Sequence, residues 1–290
     1  MTRNSFFSKK KMLNIKGKLI DFSEPCIMGI INVTPDSFYL GSRFAGEDAL
    51  HNRINQIINE GGKIIDIGAY SSRPGAENID ISEEKARLLP VLKILCNKFP
   101  DAIVSLDTFR SEIARWAFEH YGVSIINDIS GGTADTEMFS TIADLHIPYV
   151  LMHMRGTPQT MIHETKYNDV VKEVIYELAV KVRNLHEMGV IDIIIDPGFG
   201  FAKNIEQNYQ LLNHLDIFQI FEHLILVGLS RKSMIYKLLE TSAEEALNGS
   251  TILHTIAIQK GADILRVHDV KEAFEVAKLL KHPYFENSAF

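Results

Sequence analysis

Residues 169–203, DVVKEVIYELAVKVRNLHEMGVIDIIIDPGFGFAK, contain a helix pattern, a stop signal and a strand pattern in immediate succession. In Asp169–Met188, apolar residues recur every three or four positions, which predicts an amphipathic helix. Gly189 follows, and a glycine just past a helix end adopts the left-handed backbone that terminates the helix. Ile191–Ile195 is a short isoleucine-rich run, typical of a strand buried on both faces of a parallel sheet. The segment therefore predicts one helix–strand unit of an α/β fold.

The same unit recurs along the whole chain. Eight short apolar runs alternate with helical patterns and predict strands at Cys26–Ile31, Lys63–Ile67, Ala102–Leu106, Val123–Ile126, Ile147–Met152, Ile191–Ile195, Leu224–Val227 and Ala262–Val267. Such a chain forms either a closed (β/α)8 barrel or an open doubly wound sheet. No Pro/Gly/Ser-rich linker divides the chain and eight units fill it, so we favour a single (β/α)8 TIM barrel over residues 12–282. The alternation of Met12–Phe22 around Gly17 predicts a short N-terminal hairpin that closes the bottom of the barrel.

Composition limits the classes of function. The 290 residues are 46% hydrophobic and 23% charged, which allows a sizeable core and excludes wholesale disorder. The formal net charge of -7 argues against a general nucleic-acid binder. No stretch approaches the roughly 18 apolar residues of a membrane span, so no membrane partner is expected. Two cysteines, Cys26 and Cys96, form neither a metal motif nor a disulfide framework, which favours a reducing, cytoplasmic location.

Both ends of the chain are predicted to be tails. Residues 1–11 are basic but have no apolar core, so they are not a secretory signal. A flexible, solvated tail is favoured there over a short organellar presequence. Residues 283–290 are predicted to form a C-terminal tail.

Polar residues follow nearly every predicted strand, where a barrel has its active-site mouth. They are Asn32, Asp66, Asp107, Asn127, Asp128, His153, Asp196, Ser230, Arg231, Lys232, Arg266 and His268. One Asp or Asn after a strand can be a turn former or a helix cap, whereas the joint pattern indicates a site. Asp66 and Asp107 lie in or next to apolar runs and need buried partners; Lys232 is the predicted internal partner. His153 is interpreted as a satisfied core histidine, or one that supports site residues without touching a ligand, rather than a catalytic one.

Three loops have unusual chemistry. Asn32–Phe38 is long and polar, and Ser71–Gly75 places a proline and a glycine beside a cation. In Asp196–Lys203, glycines let the backbone approach a ligand next to a carboxylate. Ser230–Ser233 predicts a helix start at which free N–H groups and two cations form an anion site; an ordinary charged helix start is the alternative.

Together these segments resemble the dihydropteroate synthase family of the pterin-binding barrel superfamily. The motifs that carry the resemblance lie between about Ile27 and Val270, in order and at predicted strand ends. They are Gly29–Phe38, Asp66–Gly68 with Ser72–Gly75, Leu106–Thr108, Ile126–Asp128, Met152–Met154, Asp196–Gly200, Gly228–Ser233 and Arg266–Val270.

The resemblance implies a (β/α)8 transferase, usually a homodimer, that joins 4-aminobenzoate to a dihydropterin methyl diphosphate with Mg²⁺ and is a target of sulfonamides. It implies pterin binding by Asp107, Asn127, Asp196, Lys232, Met152 and Arg266, and diphosphate binding by Asn32, Ser72, Arg266 and His268. It implies aminobenzoate binding by Ser72, Arg73, Pro74, Phe201 and Ser230. Asn32 is the expected Mg²⁺ ligand, and Asn32, Lys232, Arg266 and His268 are the expected catalytic residues.

Some positions depart from the family pattern. Ser72 replaces the usual threonine, Ala69-Tyr70 replaces Gly-Glu, and Ala202 replaces a glycine. These departures affect loop packing more than the reaction. A pterin-binding methyltransferase using methyltetrahydrofolate and a corrinoid partner is the alternative enzyme, but it handles no pyrophosphate, for which the 72–74 and 266–268 segments are suited. A barrel that has lost catalysis and serves as a binding protein is the third hypothesis; the polar ends of all eight strands argue against it.

Overall fold

The computed structural model describes residues 11–33, 43–70 and 78–282. An antiparallel hairpin of β1 (Met12–Ile15) and β2 (Lys18–Asp21) precedes the barrel. The barrel strands are β3 (Cys26–Asn32), β4 (Ile64–Gly68), β5 (Ile103–Asp107), β6 (Ile125–Asp128), β7 (Tyr149–Met152), β8 (Ile193–Asp196), β9 (Leu224–Val227) and β10 (Ile264–Val267). All neighbouring pairs are parallel, and β10 pairs with both β9 and β3, which closes the ring. The predicted barrel is confirmed, and the open sheet is excluded.

Helices surround this ring. In the described part of the chain they are α1 (Arg43–Asn59), α2 (Ile81–Lys98), α3 (Ser111–Tyr121), α4 (Met138–Leu145), α5 (Val170–Glu187), α6 (Ile205–Asn213), α7 (Ser233–Tyr236), α8 (Leu247–Gln259) and α9 (Val270–Leu280), with 3₁₀ turns at Met161–His163 and Leu215–Phe221. Helix α5 follows the predicted pattern: Asp169 caps it by accepting from the Lys172 N–H, and Gly189 beyond it has a φ of 85°. Its apolar stripe is buried against the barrel.

Side-chain alternation divides the barrel interior into layers. Successive residues of a strand point to opposite faces, so one set of residues packs against the helices and the other fills the barrel. The lower part of the interior, here called the lower interior layer, is apolar and contains Met28, Ile64, Ile125, Val150, Ile194, Leu224 and Ile264, with Leu226 above Leu224. Residues two positions further along a strand point into the barrel one layer higher. Five of these positions hold Asp66, Asn127, Met152, Asp196 and Arg266.

The hairpin closes the lower end of the barrel, as predicted. Leu13, Ile15 and Phe22 are buried in the same cluster as the lower interior layer. The backbone N–H of Asn14 donates to Asp192 just before β8, at 3.2 Å. With the lower end closed, the upper end remains as the mouth.

Two further expectations from the sequence concern a membrane span and the two terminal tails. Among the described residues, no helix is both long and apolar enough to cross a bilayer. The predicted tails, residues 1–11 and 283–290, lie outside the described residues apart from Lys11. The boundaries of the tails and of the 12–282 barrel therefore stay predictions.

Candidate active site at the carboxyl ends of the strands

A cluster of ionic side chains fills the upper barrel interior. Arg266 donates from Nε to Asp66 Oδ2 at 2.6 Å and from Nη2 to Asp107 Oδ2 at 2.7 Å. Asn127 Nδ2 also faces Asp66, 3.2 Å from Oδ2. The prediction that Lys232 would be the partner of Asp66 and Asp107 is wrong. Arg266 lies inside the barrel and reaches both carboxylates, whereas Lys232 follows β9 at the start of α7 and its amine is directed to a carbonyl.

Burial and charge set the protonation of this cluster. Burial raises the pKa of Asp107 to about 7, against the opposing effect of Arg266. Burial would lower the pKa of Arg266, but Asp66 and Asp107 raise it overall. The guanidinium is therefore cationic at every accessible pH, while Asp107 changes charge near neutrality.

The Asp196 loop forms the next part of the site. Asp196 ends β8, and its Oδ1 accepts from the Gly198 N–H at 2.7 Å. Burial raises the pKa of Asp196, while Lys232 lowers it. Lys232 Nζ donates to the Phe199 carbonyl and lies 4.7 Å from the centre of the Phe201 ring. Burial lowers the pKa of Lys232 to about 8, and Asp196 opposes that shift.

Apolar side chains form one wall of the mouth. Met152 packs with Ile129, Met154, Met161 and Ala202, and the partly buried Phe109 and Phe201 cover this cluster. Sulfur and aromatic groups suit contact with a flat heterocycle. The mouth thus has apolar side chains on one side and hydrogen-bonding side chains inside the barrel.

His268 lies beyond β10 at the rim. Its backbone N–H donates to Ser230 Oγ at 3.2 Å, and its carbonyl accepts from Arg53 of α1 at 2.7 Å. Loss of solvation and then the charge of Arg266 lower the pKa of His268 to about 4. The side chain is exposed at the rim, where it lies among the charges of Arg266, Arg53 and Arg231. The lowered pKa leaves the imidazole neutral at pH 7, with one N–H to donate to a ligand. Ser230 lies in the loop after β9, so this hydrogen bond connects that loop to the residue just beyond β10.

The expected anion site at Ser230–Ser233 differs from its prediction. Helix α7 does begin at Ser233 but has only four residues. Arg231 does not point to the mouth: its Nε and Nη2 donate to the two oxygens of Asp269 at 2.8 and 2.9 Å. One of the two predicted cations is thus neutralised by a carboxylate, and Lys232 alone remains beside the site.

The remaining predicted residues are placed only in part. Asn32 ends β3 with an exposed side chain, beside Gly68 of β4. Ser72, Arg73 and Pro74 lie outside the described residues, so their roles stay predictions. Within residues 11–33, 43–70 and 78–282, no three His, Cys, Asp or Glu side chains are arranged to hold a metal ion.

Sequence reasoning assigned no function to Lys203. Its buried Nζ donates to Gly198 O at 3.0 Å and to Phe201 O at 2.9 Å, and lies 3.0 Å from His153 Nδ1. His153 is buried and hydrogen-bonded on both nitrogens, as its interpretation as a core histidine requires. No sequence signal separates a buried lysine at a helix start from a solvated one.

Comparison with known proteins identifies the class. A profile of the family described as "Pterin binding enzyme" matches residues 28–268. Dihydropteroate synthase of Escherichia coli K12 is 39% identical over 268 residues, covering 92% of this chain and 94% of that protein.

Two solved structures are also similar. A Yersinia pestis dihydropteroate synthase in complex with a sulfonamide drug has a TM-score of 0.86 at 36% identity, covering 93% of this chain and 98% of that one. A Xanthomonas albilineans dihydropteroate synthase with 4-aminobenzoic acid has a TM-score of 0.87 at 34% identity, covering 96% and 99%.

The chain is a pterin-binding enzyme of the (β/α)8 class. Within that class it belongs to the dihydropteroate synthase family.

Proposed function

We propose that this protein condenses 4-aminobenzoate with (7,8-dihydropterin-6-yl)methyl diphosphate to give 7,8-dihydropteroate and pyrophosphate. The observation that carries the proposal is the group of polar side chains at the mouth. There Asp107, Asn127 and Asp196 lie near two cations, Arg266 and Lys232. A pterin edge presents amino and ring N–H donors beside a carbonyl acceptor. Carboxylates accept, an amide does both, and an ammonium donates, so the residue types complement that edge.

Each pterin-binding residue has a role that its position supports. Asp196 accepts from the pterin N–H groups, and Lys232 donates to its carbonyl and ring nitrogen. Asn127 has its amide nitrogen directed to Asp66, which leaves its oxygen available as an acceptor. Met152 contributes to the apolar wall against the flat face of the ring.

The diphosphate would lie at the β10 and β3 side of the mouth. These two strands are neighbours in the barrel and carry Arg266 and Asn32, with His268 just beyond. Negative charge grows on the leaving diphosphate as its C–O bond breaks, so donors and cations there stabilise the transition state. The neutral His268 ring supplies one N–H, and Arg266 supplies positive charge.

Mg²⁺ fits this region through Asn32. Mg²⁺ prefers oxygen ligands and commonly keeps several waters, taking one or two protein ligands plus substrate phosphates. Asn32 offers one exposed amide oxygen beside β10, which suits an ion held largely by the diphosphate. When bound, Mg²⁺ would offset the charge of the leaving group.

The rest of the reaction demands little acid–base chemistry. The electron-rich pterin delocalises positive charge on the methylene carbon, so a path in which the leaving group departs first is favourable. The aniline nitrogen of aminobenzoate is neutral at pH 7 and needs no strong base. Phe201 and Ser230 are assigned to the aminobenzoate together with Ser72, Arg73 and Pro74.

The activity is tested by pyrophosphate release. We expect release from the pterin diphosphate to require both 4-aminobenzoate and Mg²⁺, with dihydropteroate appearing in equal amount by chromatography. Methyl transfer from methyltetrahydrofolate, with no pyrophosphate formed, would instead support the methyltransferase hypothesis. If neither reaction takes place, the result would support the hypothesis of a barrel without catalysis.

His268→Ala tests the diphosphate assignment. Loss of a hydrogen bond to a charged group should weaken binding of the pterin diphosphate by about 10- to 150-fold. Binding of 6-hydroxymethyl-pterin, which has no phosphate, should change little. Calorimetry with both ligands measures the two affinities, and equal losses for both would contradict the assignment.

We propose further that the protein is a homodimer that associates through helix α8. This helix contains no Asp, Glu, Lys or Arg, and Ile252 on it is exposed. Leu238 and Leu239 precede the helix and are exposed too, and Leu239 lies next to Gly249 of α8. Exposed large apolar side chains that occur together in this way are typical of a protein contact, and a second copy offers the same side chains.

Ile252→Glu should shift the dimer to monomer by burying a charge at the contact. Sedimentation velocity of wild type and variant measures the shift. Tyr176→Glu, at an exposed position on α5, is the control and should leave the assembly unchanged. A monomeric wild type, or a variant that still dimerises, would contradict this surface.

We propose a cytoplasmic location because both cysteines of the chain are free thiols. Cys26 is buried and Cys96 is exposed, and both are free. An exposed free thiol is more compatible with a reducing compartment than with an oxidising one.

A further inference from the structure

Lys203 lies beneath the Asp196 loop with its amine enclosed by protein. Two of its N–H groups donate to loop carbonyls, those of Gly198 and Phe201. The third is directed at His153 Nδ1, 3.0 Å away at the end of β7. Burial lowers the pKa of Lys203 to about 7, against the opposing charge of Asp196. In its protonated form the amine has three donors and no acceptor, so all three of its N–H groups have partners.

The partner chain continues to helix α5. His153 Nε2 lies 3.0 Å from Glu177 Oε2, and Arg155 also binds Glu177. Because Nδ1 accepts from Lys203, the imidazole proton is assigned to Nε2, where it donates to Glu177. Burial and then Lys203 lower the pKa of His153 to about 4, which agrees with a neutral ring. Lys203 is thus connected rigidly to a barrel strand and to a helix.

The loop above Lys203, residues 197–202, belongs to no helix or strand, so no regular pattern of backbone hydrogen bonds holds it. Gly198, Gly200 and Ala202 have φ values of 74°, 79° and 49°, outside both helix and strand. At Gly198 a Cβ atom would stand 1.9 Å from the His153 carbonyl oxygen, so the loop is pressed against the end of β7. One backbone bond spans the loop, from the Phe201 N–H to the Gly198 carbonyl at 3.1 Å. Side chains supply further bonds: Asn208 Oδ1 accepts from the Gly200 N–H at 2.6 Å, and Lys203 donates to two loop carbonyls.

The same loop carries several groups of the site. It directly follows Asp196, its Phe199 carbonyl accepts from Lys232, and its Phe201 ring lies under the Lys232 amine. A displacement of the loop would move all three at once. Displacements of about 1 Å in reacting groups can lower rates by about 100-fold.

We propose that Lys203 is a positioning residue: by joining Gly198 O and Phe201 O to His153, it sets the places of Asp196, Lys232 and Phe201 for both substrates. It touches neither substrate. The inference rests on the roles proposed above for those three residues, and it adds a residue that acts on them from below.

Lys203→Met tests this, because methionine has similar length but no N–H donor. We expect the dissociation constant for 6-hydroxymethyl-pterin to rise at least ~10-fold and the KM for 4-aminobenzoate to rise with it. Lys181→Met is the matched control. Lys181 is a partly buried lysine on α5 whose Nζ lies 3.5 Å from the Ser130 carbonyl rather than against a carbonyl of the Asp196 loop. Its variant should keep wild-type affinity and KM, since it removes a lysine amine without touching the carbonyls of the Asp196 loop.

A purely structural role would appear as a lower thermal midpoint with unchanged affinity and KM in the folded variant, and this would overturn the proposal. Should Lys203→Met not fold, His153→Phe is the second variant; it removes one partner of Lys203 and should raise the pterin dissociation constant about 3- to 10-fold. An unchanged constant there would also overturn the proposal. A wild-type protein that binds no pterin would overturn the proposed function with it, whereas normal wild-type binding with unaffected variants would overturn the role of Lys203 alone.

Discussion

Replacing Arg266 by methionine should lower the free energy of unfolding by about 3–5 kcal/mol near neutral pH and above. The Arg266 side chain is 22% exposed, and its guanidinium donates to both Asp66 and Asp107. Methionine keeps much of the apolar stem but has no N–H group, so two carboxylates inside the barrel lose their counter-charge. Turnover should fall by about 10²–10³-fold, because a cation facing the leaving group is lost. Denaturant titration and pyrophosphate release measure the two effects.

The stability loss should depend on pH. Burial raises the pKa of Asp107 to about 7 even with Arg266 opposing it, and removal of Arg266 raises that pKa further. The folded variant then retains a proton that the unfolded chain, whose carboxyl has its ordinary pKa near 3.8, has released. Its stability therefore falls as the pH rises. Below pH 7, Asp107 is protonated in the wild type too, so we expect a larger deficit at about pH 8.5 than at about pH 5.5.

Arg231→Met is the control for loss of a partly buried guanidinium. Arg231 is 24% exposed and binds Asp269 through two N–H groups, but the pair does not include Asp107. The growth of the deficit with pH should be greater for Arg266→Met. Equal deficits at the two pH values for Arg266→Met would show that Arg266 does not stabilise the charged form of Asp107.

The positions of the site residues along the barrel follow from the sequence. Short apolar runs identify the strands, and parallel closure places all their carboxyl ends at one mouth. Asp107 and Asp196 were therefore predicted to lie at the same end of the barrel, and in the structure each is the last residue of its strand at that end. The apolar alternation of Met12–Phe22 likewise predicted which end of the barrel is closed.

Ion pairing inside the barrel was not predicted, although a signal existed. Ile264 points into the barrel, so Arg266, two residues later on the same strand, points inward as well. Its strand is separated from Asp66 by β3 alone. Lys232 belongs to a loop beyond its strand, and loop side chains have no such fixed direction. The pairing of Arg231 with Asp269 is similarly decided by packing of two loops that are far apart in sequence.

Asp196→Asn should weaken pterin binding by about 5- to 150-fold, which corresponds to the about 1–3 kcal/mol cost of an unmatched buried polar contact. Asp196 Oδ1 already accepts from the Gly198 N–H, and an asparagine oxygen can keep that bond. Its amide nitrogen then replaces the second acceptor oxygen and presents a donor to the donors of the pterin edge. Calorimetry with 6-hydroxymethyl-pterin measures the change.

The effect of Asp196→Asn should also grow with pH, since Asp196 raises the pKa of Lys232, which burial lowers to about 8. Without the carboxylate, Lys232 loses its proton at a lower pH, and a donor to the pterin carbonyl weakens as the pH rises from about 7 to about 8. Asp192→Asn is the matched control: Asp192 is buried just before the same strand, at the closed end, where it accepts from the Asn14 N–H. It should leave pterin affinity unchanged at every pH. Equal losses in the two variants would assign the effect to general destabilisation, and unchanged affinity in Asp196→Asn would remove Asp196 from the pterin site.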